Sequence, residues 1–221
     1  MTNRFLAATL LAILPLHAQA AHAEVPMRVD FESDEPNALP SGFSTELTGG
    51  GGPVKWVVRE DAGAPSGRKV LVQTSTDETS HRFPPCIYNR LLTKNVVLSV
   101  RFKALTGTVD QAAGLVVRFR DKDNYYVVRA NALEDNVKLY RVVDGKREQF
   151  AGADIEVSAQ EWHTLKLSLR MDHFEVWFDG KHLFEADDTT HPETGELGLW
   201  TKADSVTAFD DFWIEDSDAG H

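Results

Sequence analysis

The chain has 221 residues, with 23 Lys and Arg against 34 Asp and Glu and a formal charge of −11. That acidic balance argues against nucleic acid as a partner and against an anionic membrane surface. A hydrophobic content of 42% excludes a disordered acidic tail.

The start carries the marks of a secretion signal: Arg4, then the apolar stretch Phe5 to Leu16, then the small-x-small triplet Ala21-His22-Ala23. The apolar stretch is too short to span a bilayer, and no later run is longer, so no membrane insertion is expected once the signal is removed. Residues 1–23 are expected to be removed, and the mature protein to be secreted or periplasmic. Residues 24–215 read as one domain, and residues 216–221 as a tail that frays.

Arg28 to Phe31 opens the domain as a strand. Gly49 to Gly52 reads as a flexible loop, because a phosphate cradle needs a helix or a basic side chain immediately after the glycines and Pro53-Val54-Lys55-Trp56 starts a strand instead. Cys86 is the single cysteine, so no internal disulfide is expected. It reads as a small buried apolar residue. Leu115, Val117 and Phe119 alternate with Val116, Arg118 and Arg120 as a half-buried strand. The turn Asp121-Lys122-Asp123-Asn124 follows, and then Tyr125 to Arg129 return. Asp144-Gly145 and Asp179-Gly180 supply the positive φ of tight hairpins. The runs His163 to Leu169 and Phe174 to Phe178 alternate with period 2, with His163 on the apolar side of its strand. Phe209 to Ile214 closes the domain. No sustained helical period appears. About a dozen strands with turns every 8 to 12 residues predict an all-β fold, a two-sheet antiparallel β-sandwich or a barrel.

If the first and last strands pair, Asp30 or Glu32 lies near Asp210 or Asp211. Asp30 and Asp211 are therefore the candidate ligands of a structural calcium ion, Ca2+, which takes hard oxygen donors. The alternative is two solvated acidic strand ends.

Four stretches carry a resemblance. They are Gly114 to Tyr140, Trp162 to Leu165, the hairpin Val176 to Lys181, and Gly198 to Ser205 with Phe209 to Phe212. Over about Val25 to Glu215 the chain resembles the concanavalin A-like, laminin-G-like jelly rolls of secreted bacterial proteins. It looks closest to the 3-keto-disaccharide hydrolase-like, or family 16 glycoside hydrolase-like, branch. The resemblance implies a two-sheet jelly roll with a concave face that meets saccharides.

Placing Arg120 opposite Tyr125 puts Arg118, Arg120, Tyr125 and Arg129 on one side of the sheet, with Leu115, Val117, Phe119, Tyr126 and Val128 facing the core. Asn131, Glu134 and Asn136 in the next loop add amides and a carboxylate. Trp200 and Lys202 alternate with Leu199, and Trp177 with Val176 and Phe178, so both tryptophans are candidate sugar-stacking plates. These ten residues form the candidate ligand-binding set, suited to sugar hydroxyls through planar donors and acceptors. The alternative is that the arginines pair with nearby acids and loops roof the tryptophans.

Two functions compete with saccharide binding. One is hydrolysis or elimination of a 3-keto-disaccharide, with Glu134 as catalytic base and Arg118 and Arg129 holding the oxyanion. The other is a structural interaction domain without a small ligand. The family 16 motif Glu-x-Asp-x-x-Glu finds its nearest match in Glu185-Ala186-Asp187-Asp188-Thr189-Thr190, where Thr replaces the second Glu. The identity of the sugar and the oligomeric state are not legible.

Overall fold

A computed structural model describes residues 26–218. The expected leader and the last three residues lie outside that range. In chain order the strands are β1 (Met27–Val29), β2 (Phe43–Thr45), β3 (Thr48–Gly49), β4 (Trp56–Glu60), β5 (Lys69–Gln73), β6 (Arg82–Phe83) and β7 (Pro85–Thr93). They continue with β8 (Val96–Thr106), β9 (Ala112–Asp121), β10 (Asn124–Asn131), β11 (Asn136–Val143) and β12 (Lys146–Asp154). The last are β13 (His163–Arg170), β14 (His173–Phe178), β15 (Lys181–Asp187), β16 (Gly195–Trp200) and β17 (Val206–Asp216).

Two large antiparallel sheets form the sandwich. One runs β15-β14-β13-β8-β17-β5-β4 with β1 added against β17; the other runs β12-β11-β10-β9-β16-β7-β2. The first and last strands do pair, with Arg28 opposite Trp213. Asp144-Gly145 joins β11 to β12 and Asp179-Gly180 joins β14 to β15, all four residues with positive φ. That is the twist a two-residue hairpin needs between right-twisted strands.

The core between the sheets follows the alternation of the sequence. Leu98, Val100, Leu165, Leu167, Val176 and Phe209 from one sheet meet Leu115, Val117, Tyr126, Val128, Leu139 and Leu199 from the other. Each such fully buried side chain contributes about 1.5–3 kcal/mol of transfer free energy. Cys86 sits in this core, and burial pushes its thiol well up. His163 is buried there too, its Nδ1 2.7 Å from Asp179 Oδ2 and its Nε2 3.0 Å from the Ser158 carbonyl. The tail holds past Asp216: Asp218 Oδ2 accepts from the amides of Lys94 (2.6 Å) and Asn95 (2.8 Å).

One register correction matters for the site. Asn124 pairs with Asp121, but Tyr126 pairs with Val117 and Val127 with Val116. Residues 118–120 therefore bulge opposite Tyr125. Arg118 takes φ 49°, and its backbone nests on Gly195, where a Cβ would lie 2.7 Å from the Arg118 Cα. Such a bulge rotates the residues that follow it. Phe119 consequently leaves the expected core side and joins Tyr125, Val116 and Trp200 in a second cluster on the outer face of the seven-stranded sheet.

Candidate functional site

The outer face of the seven-stranded sheet, turned away from the sandwich core, is built in rows by the strand register. Pairings of Lys138 with Gly152 and Arg129, of Arg129 with Gly114, and of Gly114 with Trp200 make one row: Gly152, Lys138, Arg129, Gly114, Trp200. The row beside it carries Asp154, Asn136, Asn131 and Ala112. On the other side lie Tyr140, Val127 and Val116, then Arg147, Val142 and Tyr125. Gly114 is buried between Arg129 and Trp200, where a Cβ would lie 2.8 Å from the Val128 carbonyl oxygen and 3.3 Å from the Trp200 Cβ.

A small third sheet, β3 with β6, roofs part of this face. Thr48 Oγ1 lies 2.9 Å from the Tyr125 hydroxyl, and Phe83 stacks on Trp200 with centroids 5.4 Å apart at 17°. Burial pushes the Tyr125 hydroxyl up to about 12, with Thr48 and Trp200 only partly opposing it. The Gly49–Gly52 loop is held here and is not free: the Gly52 amide donates to Asp77 Oδ2 at 2.6 Å, and Arg82 donates to the carbonyls of Pro53 (3.0 Å) and Ala203 (3.1 Å).

The polar part of the face is a chain of charged contacts. Arg129 is 1% exposed. Its Nη2 donates to Glu134 Oε2 at 2.6 Å and to the Tyr140 hydroxyl at 3.1 Å, while its Nε and Nη1 have no partner among the described residues. Glu134, with a 39% exposed side chain, also takes Lys138 Nζ at 3.4 Å and Asn136 Nδ2 at 3.3 Å. Partial burial would raise the Glu134 carboxyl, but Arg129 first, then Asn136 and Lys138, hold it at about 2. Further along, Asn131 Nδ2 donates to Asp110 Oδ1 at 2.7 Å, and Lys202 bridges to the other oxygen of Asp110. Arg147 crosses the aromatic floor, its Cζ 4.2 Å from the Tyr140 centroid, 4.6 Å from Phe83 and 5.4 Å from Trp200.

The structure thus gathers Arg129, Asn131, Glu134, Asn136 and Lys202, and places Tyr125 and Trp200 on the same face. Tyr125 and Trp200 are fully buried beneath the roof, so Trp200 is not the open plate expected of it. Three residues are elsewhere. The bulge turns Arg118 away, and it is 2% exposed. It donates to the carbonyls of His191 (2.7 Å), Lys94 (3.1 Å) and Met171. Arg120 is exposed, 3.6 Å from Glu193. Trp177 lies on the eight-stranded sheet, against Lys166 and His182. Glu134 is ion-paired to Arg129, which holds its carboxyl well below the usual carboxylate range. Asp110, Lys138, Tyr140, Arg147 and Phe83 were missed. The alternation Asn136, Lys138, Tyr140 along β11 contained the signal for two of them; nothing local marked Phe83.

At the expected calcium pair, Asp211 is engaged by Arg28. Arg28 Nε donates to Asp211 Oδ1 at 2.7 Å, and Arg28 lies within the field of Asp30, Asp210 and Asp211 together. Among the described residues, the group of three side chains with converging ligand atoms is His173, Glu175 and Glu185, within 4.8 Å of one another on the outer face of the other sheet.

Fold and face together define a concanavalin A-like β-sandwich whose polar site lies on the sheet away from the chain ends. The sequence model of the 3-keto-alpha-glucoside-1,2-lyase-like domain matches residues 44–215, and the chain belongs to that family. Solved structures share the sandwich. The carbohydrate-binding module CBM66 from Bacillus subtilis aligns at TM-score 0.57 and 18% identity, over 73% of this chain and 95% of that one. The exoplasmic/lumenal domain of VIP36, in its Ca2+/Man-bound form, aligns at TM-score 0.57 and 12% identity, over 86% and 88%. A galectin-like-fold protein of unknown function from Bacillus subtilis aligns at TM-score 0.56 and 11% identity, over 86% and 98%. No curated protein matches the chain.

Proposed function

We propose that this protein binds a saccharide on the outer face of its seven-stranded sheet, at the patch formed by Arg129, Glu134, Asn136 and Lys138 beside the roofed Trp200. One observation carries the reading. Arg129 is buried, yet among the described residues its Nε and Nη1 have no partner, beside the half-exposed carboxylate of Glu134. A buried guanidinium with unused donors costs free energy, and an external acceptor recovers it. Asn131, Asn136 and Lys202 stand within the same patch as further donors and acceptors. The carbohydrate-binding module and the mannose-bound lumenal domain that share this fold support the reading.

The family's description raises the alternative of elimination from a 3-keto-glucoside. Binding is favoured over it because the carboxylate nearest the arginine is held at about 2 and is locked in an ion pair. The signal-like residues 1–23 support action outside the cytoplasm, on a secreted or periplasmic protein.

The test is a glycan panel with titration calorimetry on the wild type, Arg129→Gln and the control Arg120→Gln. The wild type and the control bind the same sugar, and Arg129→Gln weakens it at least tenfold. Unchanged binding in Arg129→Gln refutes the site. Release of free sugar from a 3-keto-disaccharide would restore the enzymatic alternative.

A further inference from the structure

The charge of this face runs opposite to that of the chain. Four cations, Arg129, Lys138, Arg147 and Lys202, project from one patch of a protein of formal charge −11. Two carboxylates contact them: Glu134 takes Arg129 and Lys138, and Asp110 takes Lys202. Asp154 stands exposed at the sheet edge beyond Asn136. Among the described residues Arg147 has no ion pair, and its Nη1 has no hydrogen-bond partner. Both arginines lie against one ring, with the Cζ of Arg147 4.2 Å and that of Arg129 5.7 Å from the Tyr140 centroid. Two like charges are therefore held together with three donor nitrogens unused between them: Nε and Nη1 of Arg129 and Nη1 of Arg147.

Stacking over Tyr140, Phe83 and Trp200 compensates one guanidinium only in part. A cation–π contact is worth about 0.5–2 kcal/mol, whereas withdrawing an ion from water costs several. A planar anion with two oxygens matches the deficit, because a carboxylate accepts from guanidinium forks bidentately. A neutral sugar hydroxyl supplies one oxygen and no charge.

We infer that the Arg129–Arg147 pair receives the carboxylate of an acidic saccharide, a glycan containing uronic acid, with Lys138 and Lys202 flanking it. This rests on the outer face being the saccharide site, and it adds the charge class of the ligand.

The experiment compares oligogalacturonate with its methyl ester, which keeps the sugar and removes the charge. Titration calorimetry is run in 50 mM and 500 mM NaCl, alongside a neutral glucan oligomer. The acid is expected to bind at least tenfold more tightly than the ester at low salt, with the advantage shrinking at high salt. In Arg147→Gln that advantage falls to within twofold, and in Arg147→Lys, which keeps the charge and loses the fork, it is intermediate. Melting curves establish that the variants fold; if Arg147→Gln does not, the acid-to-ester ratio and its salt dependence in the wild type decide. Equal or tighter binding of the ester, or of the neutral glucan alone, overturns the acidic-ligand inference and leaves saccharide binding intact. Binding of none of the three oligomers overturns the inference, and an empty glycan panel overturns the wider reading with it.

Discussion

Replacing Arg118 by Ala is expected to unsettle the fold and leave the ligand face untouched, the reverse of what its strand alternation implies. Arg118 donates to three backbone carbonyls, those of Lys94, His191 and Met171, and so ties the β7–β8 turn, the β13–β14 turn and the segment before β16 to the bulge in β9. Truncation strands all three acceptors, and a buried acceptor without a donor costs about 1–3 kcal/mol. A cavity of about 190 Å³ lined by Lys94, Arg118, Met171, Asp172, Thr189 and Pro192 adjoins the side chain. Water entering there brings each loss to the lower end of that range, for a total of about 3 kcal/mol. For a chain of this size that lowers Tm by about 6–12 °C. Differential scanning calorimetry reads the shift, and calorimetric titration with the ligand found on the panel reads binding. A Tm change under about 2 °C, or lost binding at unchanged Tm, would refute the placement of Arg118.

Two further measurements probe the interior. Burial pushes the Asp210 carboxyl up to about 6 from 3.8, with hydrogen bonds from Ser66 and the Asp211 amide opposing it. Between about pH 4 and 6 the folded protein therefore holds a proton that the unfolded chain has released, and stability falls as pH rises through that window. Asp188 shows the opposite sign. Burial would raise it, but hydrogen bonds from Thr190, Tyr126 and Arg141 hold it at about 2, so its stabilisation is present above about pH 4 and is lost as pH falls toward 2. Urea midpoints between pH 2 and 7 are expected to lose the decline between pH 4 and 6 in Asp210→Asn and part of the acid-side loss in Asp188→Asn; unchanged profiles would contradict both assignments. Cys86 is fully buried with its thiol pushed up, so a disulfide-exchange reagent at pH 8 is expected to leave it unmodified until denaturant is added. Rapid labelling of the native protein would refute its burial.

The β architecture was legible in the sequence because period-2 alternation and Asp-Gly turns are local properties. Leu165, Leu167 and Leu169 reach the core wherever their strand lies, and Asp144-Gly145 and Asp179-Gly180 turn the chain whatever surrounds them. Part of the candidate site followed the same logic. Arg129, Asn131 and Asn136 alternate onto one face without interruption. Arg118 and Phe119 did not follow it, since one bulge reverses the parity on which alternation depends, and the room for that bulge comes from Gly195 on another strand.

What the sequence by itself determined is the strand-and-turn pattern and the faces of the uninterrupted strands. Tertiary structure alone decided which charges meet. Arg28 reaches Asp211 across 183 positions of chain, Lys202 reaches Asp110 across 92, and Phe83 covers Trp200 because β6 pairs with β3 above it. Such contacts depend on strand order and loop path, and no short-range pattern encodes either. By contrast, the groups that hold Glu134 at about 2, Arg129, Asn136 and Lys138, lie within five positions of it along one hairpin.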